Sequence, residues 1–269
     1  MSRDDGQGPP DGVHTDRPVS ARVWNYWLGG KDHYDVDREA GEKVARHVPG
    51  IAAAARGDRL FLGRCVRYLA GQEGVRQFLD IGTGLPTADN THEIAQRVAP
   101  QARIVYVDND PLVLAHARAL LMSTPEGATS YIDADVRDPG KILREAAATL
   151  NLGEPVALMM LAILHLIADD DQVRRILREF VDALPSGSYL AISHACTDVE
   201  ATRVAVRTWN DSDTPHPVKP RSRAEITRFF DGLELVEPGV VSCSRWRYEP
   251  NPWGEPEEIM TFGGLARKP

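Results

Sequence analysis

From residue 77 onward, short apolar runs that end in glycine or aspartate alternate with helix-patterned stretches. This rhythm constrains the fold more than any other feature of the chain. Residues 77–81 read as a strand stopping at Gly82. Residues 90–98 read as a helix, with Asn90 as its cap and Glu93 placed to return the hydrogen bond. A second strand, 103–107, ends in Asp108, and Pro111 opens the next helix, where a missing N–H does no harm. A short strand at 130–132, a helix at 142–150, a buried strand at 155–161, a helix at 169–184 and a strand at 187–192 continue the pattern. Alternation of this kind predicts βαβ units and a mostly parallel sheet. Residues 208–220 then form a polar, Pro-rich loop, and Ser222 with Glu225 marks another helix start. Residues 233–241 and 258–266 read as strands with no helix between them, hence an antiparallel hairpin. The expected fold class is α/β, a seven-stranded and mostly parallel sheet with helices on both faces.

The first 75 residues have a different texture. Residues 1–18 hold almost no large apolar side chain and read as a tail. Helical spacing then runs over 20–28, stopped by Gly29-Gly30, over 37–47, stopped by Pro49-Gly50, and over 51–69. The sequence therefore divides into a tail (1–18), an N-terminal helical cap (19–75) and a core (76–269). With 42% hydrophobic and 26% charged residues the chain can bury a large core. Its net charge of −8 has the wrong sign for a nucleic-acid binder that relies on bulk positive charge. Cys65, Cys196 and Cys243 lie far apart with no zinc spacing, so no metal is expected. The longest apolar run, 156–164, has nine residues, half of what a membrane span needs, and the N-terminus has no apolar signal region. These features predict a soluble, reduced, cytoplasmic protein.

The chemistry concentrates where strands end. The first turn reads Asp80-Ile-Gly82-Thr83-Gly84, and glycines there let a ligand approach the backbone. A dinucleotide fingerprint needs a third glycine, but Thr87 stands at that place behind Pro86. Asp80, two residues before Gly82, would repel a pyrophosphate and suits a cationic group such as an amino acid's ammonium. Asp108, 24 residues past Gly84, is placed to accept both ribose hydroxyl protons. Its competing role, capping the next helix, falls better to Asp110. Asp135 with the N–H of Val136 can accept from an adenine amino group and donate to a ring nitrogen. Three acidic strand ends at successive carboxyl edges point to one crevice rather than to scattered surface charge.

This set resembles the class I S-adenosylmethionine-dependent methyltransferases, which carry acidic-x-Gly-x-Gly after strand one and acids ending strands two and three. The stretches SARVWNYWLGGKDHYDVDREA, FLDIGTGLPTADNTHEIAQ, YVDNDP and FGGLARK are similar to a group of such enzymes whose acceptors are largely uncharacterised. The resemblance spans residues 20–268. It implies a Rossmann-like fold and S-adenosylmethionine as cofactor. It places Asp80, Gly82, Thr83 and Gly84 on the methionine part, Asp108 on the ribose, Asn109 beside the adenine, and Asp135 and Val136 on the adenine edge. Leu161 completes the cofactor-binding set.

The acceptor is less legible. A small molecule is expected, because the Asn/Asp-Pro-Pro-aromatic motif of base-amine methylating enzymes is absent after strand four. His165 there is the candidate base, with His194 second; a helix-terminal or core histidine is the competing account and the more common one. Tyr26, Lys31 and Tyr34 around the Gly29-Gly30 turn are candidate acceptor contacts, and a plain helix C-cap is the competing account. Arg203, Arg207, Lys219, Arg221, Arg223 and Arg228 can meet an acidic acceptor or merely face solvent. Trp246, Tyr248 and Trp253 can stack on an aromatic acceptor or anchor a long loop. The alternative function is a non-catalytic module that binds the same nucleoside or docks a partner.

Overall fold

The apolar runs of the central region become strands because each is covered on both sides. The structure is a computed structural model and describes residues 13–120, 122–250, 252 and 254–269. β1 (Gln77–Ile81) and β4 (Ala157–Leu161) are buried at every position, as inner strands of a parallel sheet should be. With β2 (Arg103–Asp108), β3 (Ala128–Asp133) and β5 (Tyr189–Ala195) they form a parallel array in the order β3-β2-β1-β4-β5. β8 (Thr261–Arg267) lies antiparallel against β5 along its whole length. The expected strand over 233–241 is split into β6 (Glu234–Leu235) and β7 (Val241–Ser242), both antiparallel to β8. Pro238 has no N–H for a ladder and Gly239 turns the chain at φ +79°, so the described residues give eight strands rather than seven.

The helices are α1 (Ser20–Trp27), α2 (Asp35–His47), α3 (Ile51–Gly71), α4 (Thr91–Val98), α5 (Pro111–Leu120), α6 (Pro139–Ala146), α7 (Asp170–Ala183), α8 (Glu200–Asn210) and α9 (Arg223–Thr227). Several start where the sequence places a cap. Asn90 N–H donates to Glu93 Oε2 at 2.8 Å, and Ser222 N–H donates to Glu225 Oε2 at 2.7 Å. α6 begins earlier than the spacing suggests because Asp138 accepts the N–H of Lys141 at 3.0 Å. α8 was not anticipated; it buries Thr202, Ala205 and Trp209 at helical spacing. Among the described residues, no helix is long and apolar enough to cross a membrane.

Two layers cover the sheet. Leu79, Ile81, Val105 and Met160 pack on Ile142 of α6 and Val173 and Phe180 of α7. On the opposite face, Phe78, Ile104, Tyr106 and Met159 pack on Phe61, Leu62 and Cys65 of α3 and Ile94 of α4. α3 is thus a layer of the core, and residue 75 is not a packing boundary. α1, α2 and α8 share a third cluster built on Val23, Val44 and Trp209. Strand alternation decides where Asp80 points. With Leu79 and Ile81 on the α6/α7 face, Phe78 and Asp80 turn toward α3 and α4.

Candidate functional site

The chain order reverses between β1 and β4: β2 and β3 extend one way from β1, and β4 and β5 the other. Open α/β sheets bind ligands at such a point, outside the strands' carboxyl ends. A cavity of about 390 Å³ lies there. Asp80, Gly82, Thr83 and Gly84 line it from β1 and the turn beyond. Asp108 and Asn109 line it from β2, Asp135 and Val136 from the end of β3, and Leu161 from β4. All nine residues assigned to one ligand from sequence face one hollow.

The turn after β1 has its shape because two residues sit at positive φ, Gly82 at +72° and Gly84 at +65°. A Cβ on Gly82 would also stand 2.7 Å from Ile163 Cδ1. Gly82 N–H donates to the Val107 carbonyl at 2.8 Å, and Gly84 N–H donates to Asp108 Oδ2 at 2.9 Å. Asp108 Oδ1 accepts the N–H of Asp110 at 3.0 Å, while Asp110 itself caps α5 by accepting from Leu112 at 2.8 Å. Each Asp108 oxygen keeps a lone pair for a ligand. Despite these backbone donors, burial pushes the Asp108 carboxyl up to about 6. Asp80 accepts a 2.6 Å hydrogen bond from Thr91 Oγ1, and burial raises its carboxyl too. Asp135 is half-buried and pairs with Arg137 at 2.9 Å, with Asn109 Nδ2 donating to it at 3.3 Å.

One site residue escaped the sequence reading. Asp58 of α3 lines the same cavity and is 4% exposed. It falls on the buried stripe Ile51, Ala54, Ala55, Phe61, Leu62, Cys65 and Val66, where a carboxylate is out of place. That misfit was the available signal. Burial pushes Asp58 up to about 6, and hydrogen bonding from Ser193 is the largest opposing influence. Among the described residues, Asp58, Asp80 and Asp108 form no ion pair with Lys or Arg. The floor beyond β4 is also unusual. Ala162 holds φ +53°, a left-handed conformation that β-carbons disfavour, and lines the cavity.

A strap and a loop roof the cavity. Val13, His14 and Arg17 lie over it ahead of α1, and Pro215 and His216 reach it from the Pro-rich loop. Arg22 holds the strap by donating to the carbonyls of His14 at 2.7 Å and Arg17 at 2.9 Å. Arg22 is itself locked by a buried 2.9 Å ion pair with Asp37 of α2.

The remaining candidates lie elsewhere. His165 does not line this cavity; it faces a smaller hollow of about 80 Å³ beside it, between α1, α2, α3, α8 and the sheet. Burial, with the Arg221 charge adding to it, pushes the imidazole down to about 4. His194 is a core histidine, accepting from Arg221 through Nε2 at 2.9 Å and hydrogen-bonded to the Ala195 carbonyl through Nδ1. Tyr26, Lys31 and Tyr34 line neither hollow. Tyr26 meets the His33 ring edge-on at 5.2 Å, Tyr34 stacks under the Arg22 guanidinium, and Lys31 is exposed. Gly29, at φ +81°, donates to the Tyr26 carbonyl and Gly30 to the Asn25 carbonyl, which is the helix C-cap account of that turn. Arg221 is buried against Asp170 at 2.7 Å, and Arg203, Arg207, Arg223 and Arg228 are exposed. Lys219 pairs with Asp170 at 2.8 Å. Trp246 is buried edge-on to Phe61 at 5.3 Å, an anchor rather than a stacking platform; Trp253 lies outside the described residues.

A parallel sheet closed by an antiparallel β8, a glycine-paired turn at the point of reversal and an acidic crevice define an S-adenosylmethionine-dependent methyltransferase of class I. A family described as S-adenosyl methyltransferase matches residues 6–269, and the chain belongs to it. A DUF574 family protein from Streptomyces avermitilis is similar, with 44% identity and a TM-score of 0.89 over 95% of this chain and 99% of that one. A candidate methyltransferase from Thermobifida fusca shares 41% identity at a TM-score of 0.87, covering 97% of this chain and 98% of that one. The N-methyltransferase NodS from Bradyrhizobium japonicum is alike in fold alone, with 18% identity and a TM-score of 0.50 over 81% of this chain and 97% of that one. No curated protein matches the chain. The chain is therefore an enzyme that uses S-adenosylmethionine, and buried carboxylates without cationic partners fit a ligand carrying a sulfonium and an ammonium.

Proposed function

We propose that the chain methylates a small-molecule acceptor, with the residues of the 390 Å³ cavity dividing the cofactor among them. Asp80, Gly82, Thr83 and Gly84, joined by Asp58, hold the amino-acid end. Asp108 accepts from the ribose hydroxyls. Asn109, Asp135 and Val136 hold the adenine, and Leu161 gives an apolar floor. The cofactor supplies a methyl group already activated by the sulfonium, so the protein's task is alignment and exclusion of water. The observation that carries this reading is the set of three carboxylates, the buried Asp58 and Asp80 and the half-buried Asp108, facing one hollow without a Lys or Arg partner among the described residues. The free, buried thiols Cys65, Cys196 and Cys243 support a reducing, cytoplasmic setting. Titration calorimetry with S-adenosylmethionine and S-adenosylhomocysteine tests the assignment. Binding is expected, and Asp108→Ala should weaken it by more than about tenfold, since hydrogen bonds to a charged group contribute ~1.5–3 kcal/mol. No heat at millimolar ligand would end the reading.

A further inference from the structure

Among the described residues, four arginines line the larger cavity: Arg17, Arg22, Arg59 and Arg137. Two of them have carboxylate partners, Arg22 with Asp37 and Arg137 with Asp135, each at 2.9 Å. Arg17 belongs to the strap. Burial holds the His216 imidazole down, and Arg17 acts on it together with Arg137, Asp110 and Asp135, which puts Arg17 over the β2 and β3 ends. Arg59 lies at the opposite end. It follows Asp58 on α3 and is half-buried. Its Nη2 donates to the Asp89 carbonyl at 3.0 Å, just ahead of α4, and lies 3.5 Å from the Ala88 carbonyl. The Asp89 carboxylate itself is paired with Arg97. Nε and Nη1 of Arg59 donate to nothing among the described residues. Burial raises the Asp58 and Asp80 carboxyls; hydrogen bonds from Ser193 and Thr91 oppose that rise, and so does the Arg59 charge at both. The guanidinium is thus close enough to act on both carboxylates, yet it is ion-paired with neither.

The amino-acid end of S-adenosylmethionine is a zwitterion whose ammonium and carboxylate share one carbon. Asp58 and Asp80 attract the first group and repel the second, so these carboxylates alone would work against half of the ligand. We propose that Arg59 receives the cofactor's α-carboxylate and makes the site selective for a nucleoside that carries a complete amino acid. The proposal rests on the reading that this cavity holds the cofactor, and it gives a partner to the one charged group which that reading leaves without one. Arginine suits the role, because its donors lie fixed in a plane that matches a carboxylate and it is always charged. The hydrogen bond to the Asp89 carbonyl steadies the guanidinium without neutralising it, so its charge stays available to a ligand. Methyl transfer removes the sulfonium charge and leaves the amino acid intact. Arg59 therefore holds the spent cofactor as it holds the fresh one, and S-adenosylhomocysteine is a fair probe of the contact.

The test titrates the full-length protein with S-adenosylhomocysteine and with its decarboxylated form, which keeps the amine and the adenosine. Calorimetry reads both affinities in the wild type, in Arg59→Met and in Arg59→Lys. The wild type should bind S-adenosylhomocysteine at least about tenfold tighter than the decarboxylated form, the gain expected of a hydrogen-bonded charge pair. Arg59→Met should shrink that preference to within about twofold, by losing affinity for S-adenosylhomocysteine alone. It should bind the decarboxylated form as well as the wild type does or better, since a positive charge near the ammonium is gone. Arg59→Lys keeps the charge without the planar fork, so an intermediate preference is expected, and this variant decides the matter if Arg59→Met does not fold. A wild type that binds the two ligands alike overturns the assignment while leaving the cofactor reading intact. So does an Arg59→Met that weakens both ligands equally, which would make Arg59 a brace for the chain at Asp89 and nothing more. If neither ligand binds the wild type, the cofactor reading falls, and the role of Arg59 falls with it.

Discussion

Replacing Asp58 by asparagine should make the free protein more stable and the cofactor complex weaker. A carboxyl that is ordinarily at 3.8 and stands at about 6 in the fold is an ionised group held against its preference above that pH. The difference of roughly two pH units corresponds to about 3 kcal/mol at pH 7.5, at 1.36 kcal/mol per unit. The sign follows from proton counts. Between 3.8 and about 6 the folded chain binds more protons at Asp58 than the unfolded chain, so stability falls as pH rises through that window. Asparagine removes the charge and keeps an acceptor for Ser193. With an unfolding entropy of ~2.1 cal/mol/K per residue, 3 kcal/mol raises the melting temperature of a chain this size by about 5 °C. The gain should be present at pH 7.5 and should shrink at pH 5, where wild-type Asp58 is already mostly protonated. The same change should cost about tenfold or more in affinity for S-adenosylmethionine, because a charge-assisted contact to its amino-acid end is lost. Differential scanning fluorimetry at both pH values, with calorimetry at pH 7.5, measures both effects. If Asp58→Asn melts lower at pH 7.5, or binds the cofactor as tightly as wild type, Asp58 is a structural group and the electrostatic reasoning fails.

Three further outcomes are expected. Gly82→Ala should lower stability by about 1–2 kcal/mol through its left-handed φ alone, and should reduce cofactor affinity more than tenfold as Ile163 is displaced; urea denaturation and calorimetry check this. Cofactor affinity should fall as pH drops below about 6, because Asp58 and Asp108 then take up protons that a cationic ligand must expel; a flat affinity between pH 7.5 and pH 5 would contradict this. Asp37→Asn should cost ~3–5 kcal/mol by leaving the Arg22 charge buried without its partner, and should speed proteolysis ahead of α1, followed by mass spectrometry.

Much of this was legible in the sequence because strand ends punctuate it. Gly82 and Gly84 stood where a turn needs positive φ, and Asp80, Asp108 and Asp135 stood where parallel strands deliver their carboxyl ends to one crevice. Capping residues Asn90 and Ser222 gave helix starts directly. What was not legible depends on tertiary packing. Asp58 sits on a helix that local spacing assigns to a cap, and only the packing of α3 on the sheet brings it to the cavity that Asp80 also lines. α8 was overlooked beside the Pro-rich loop, and its Thr202 and Trp209 make sense only once α1 and α2 close over them. Periodicity placed His165 after a strand but not on which side of the strand end it would emerge, so it faces the smaller hollow. Tyr26, Lys31 and Tyr34 looked functional beside a glycine pair that the helix C-cap and the close approach of Asn25 to Gly30 explain.

A crystal structure of the protein soaked with S-adenosylhomocysteine tests the central assignment most directly. The ribose hydroxyls should lie within hydrogen-bond distance of both Asp108 oxygens, with the amino group facing Asp58 and Asp80 and the adenine beside Asn109 and Val136. A nucleoside bound elsewhere, or a ribose turned away from Asp108, would contradict it.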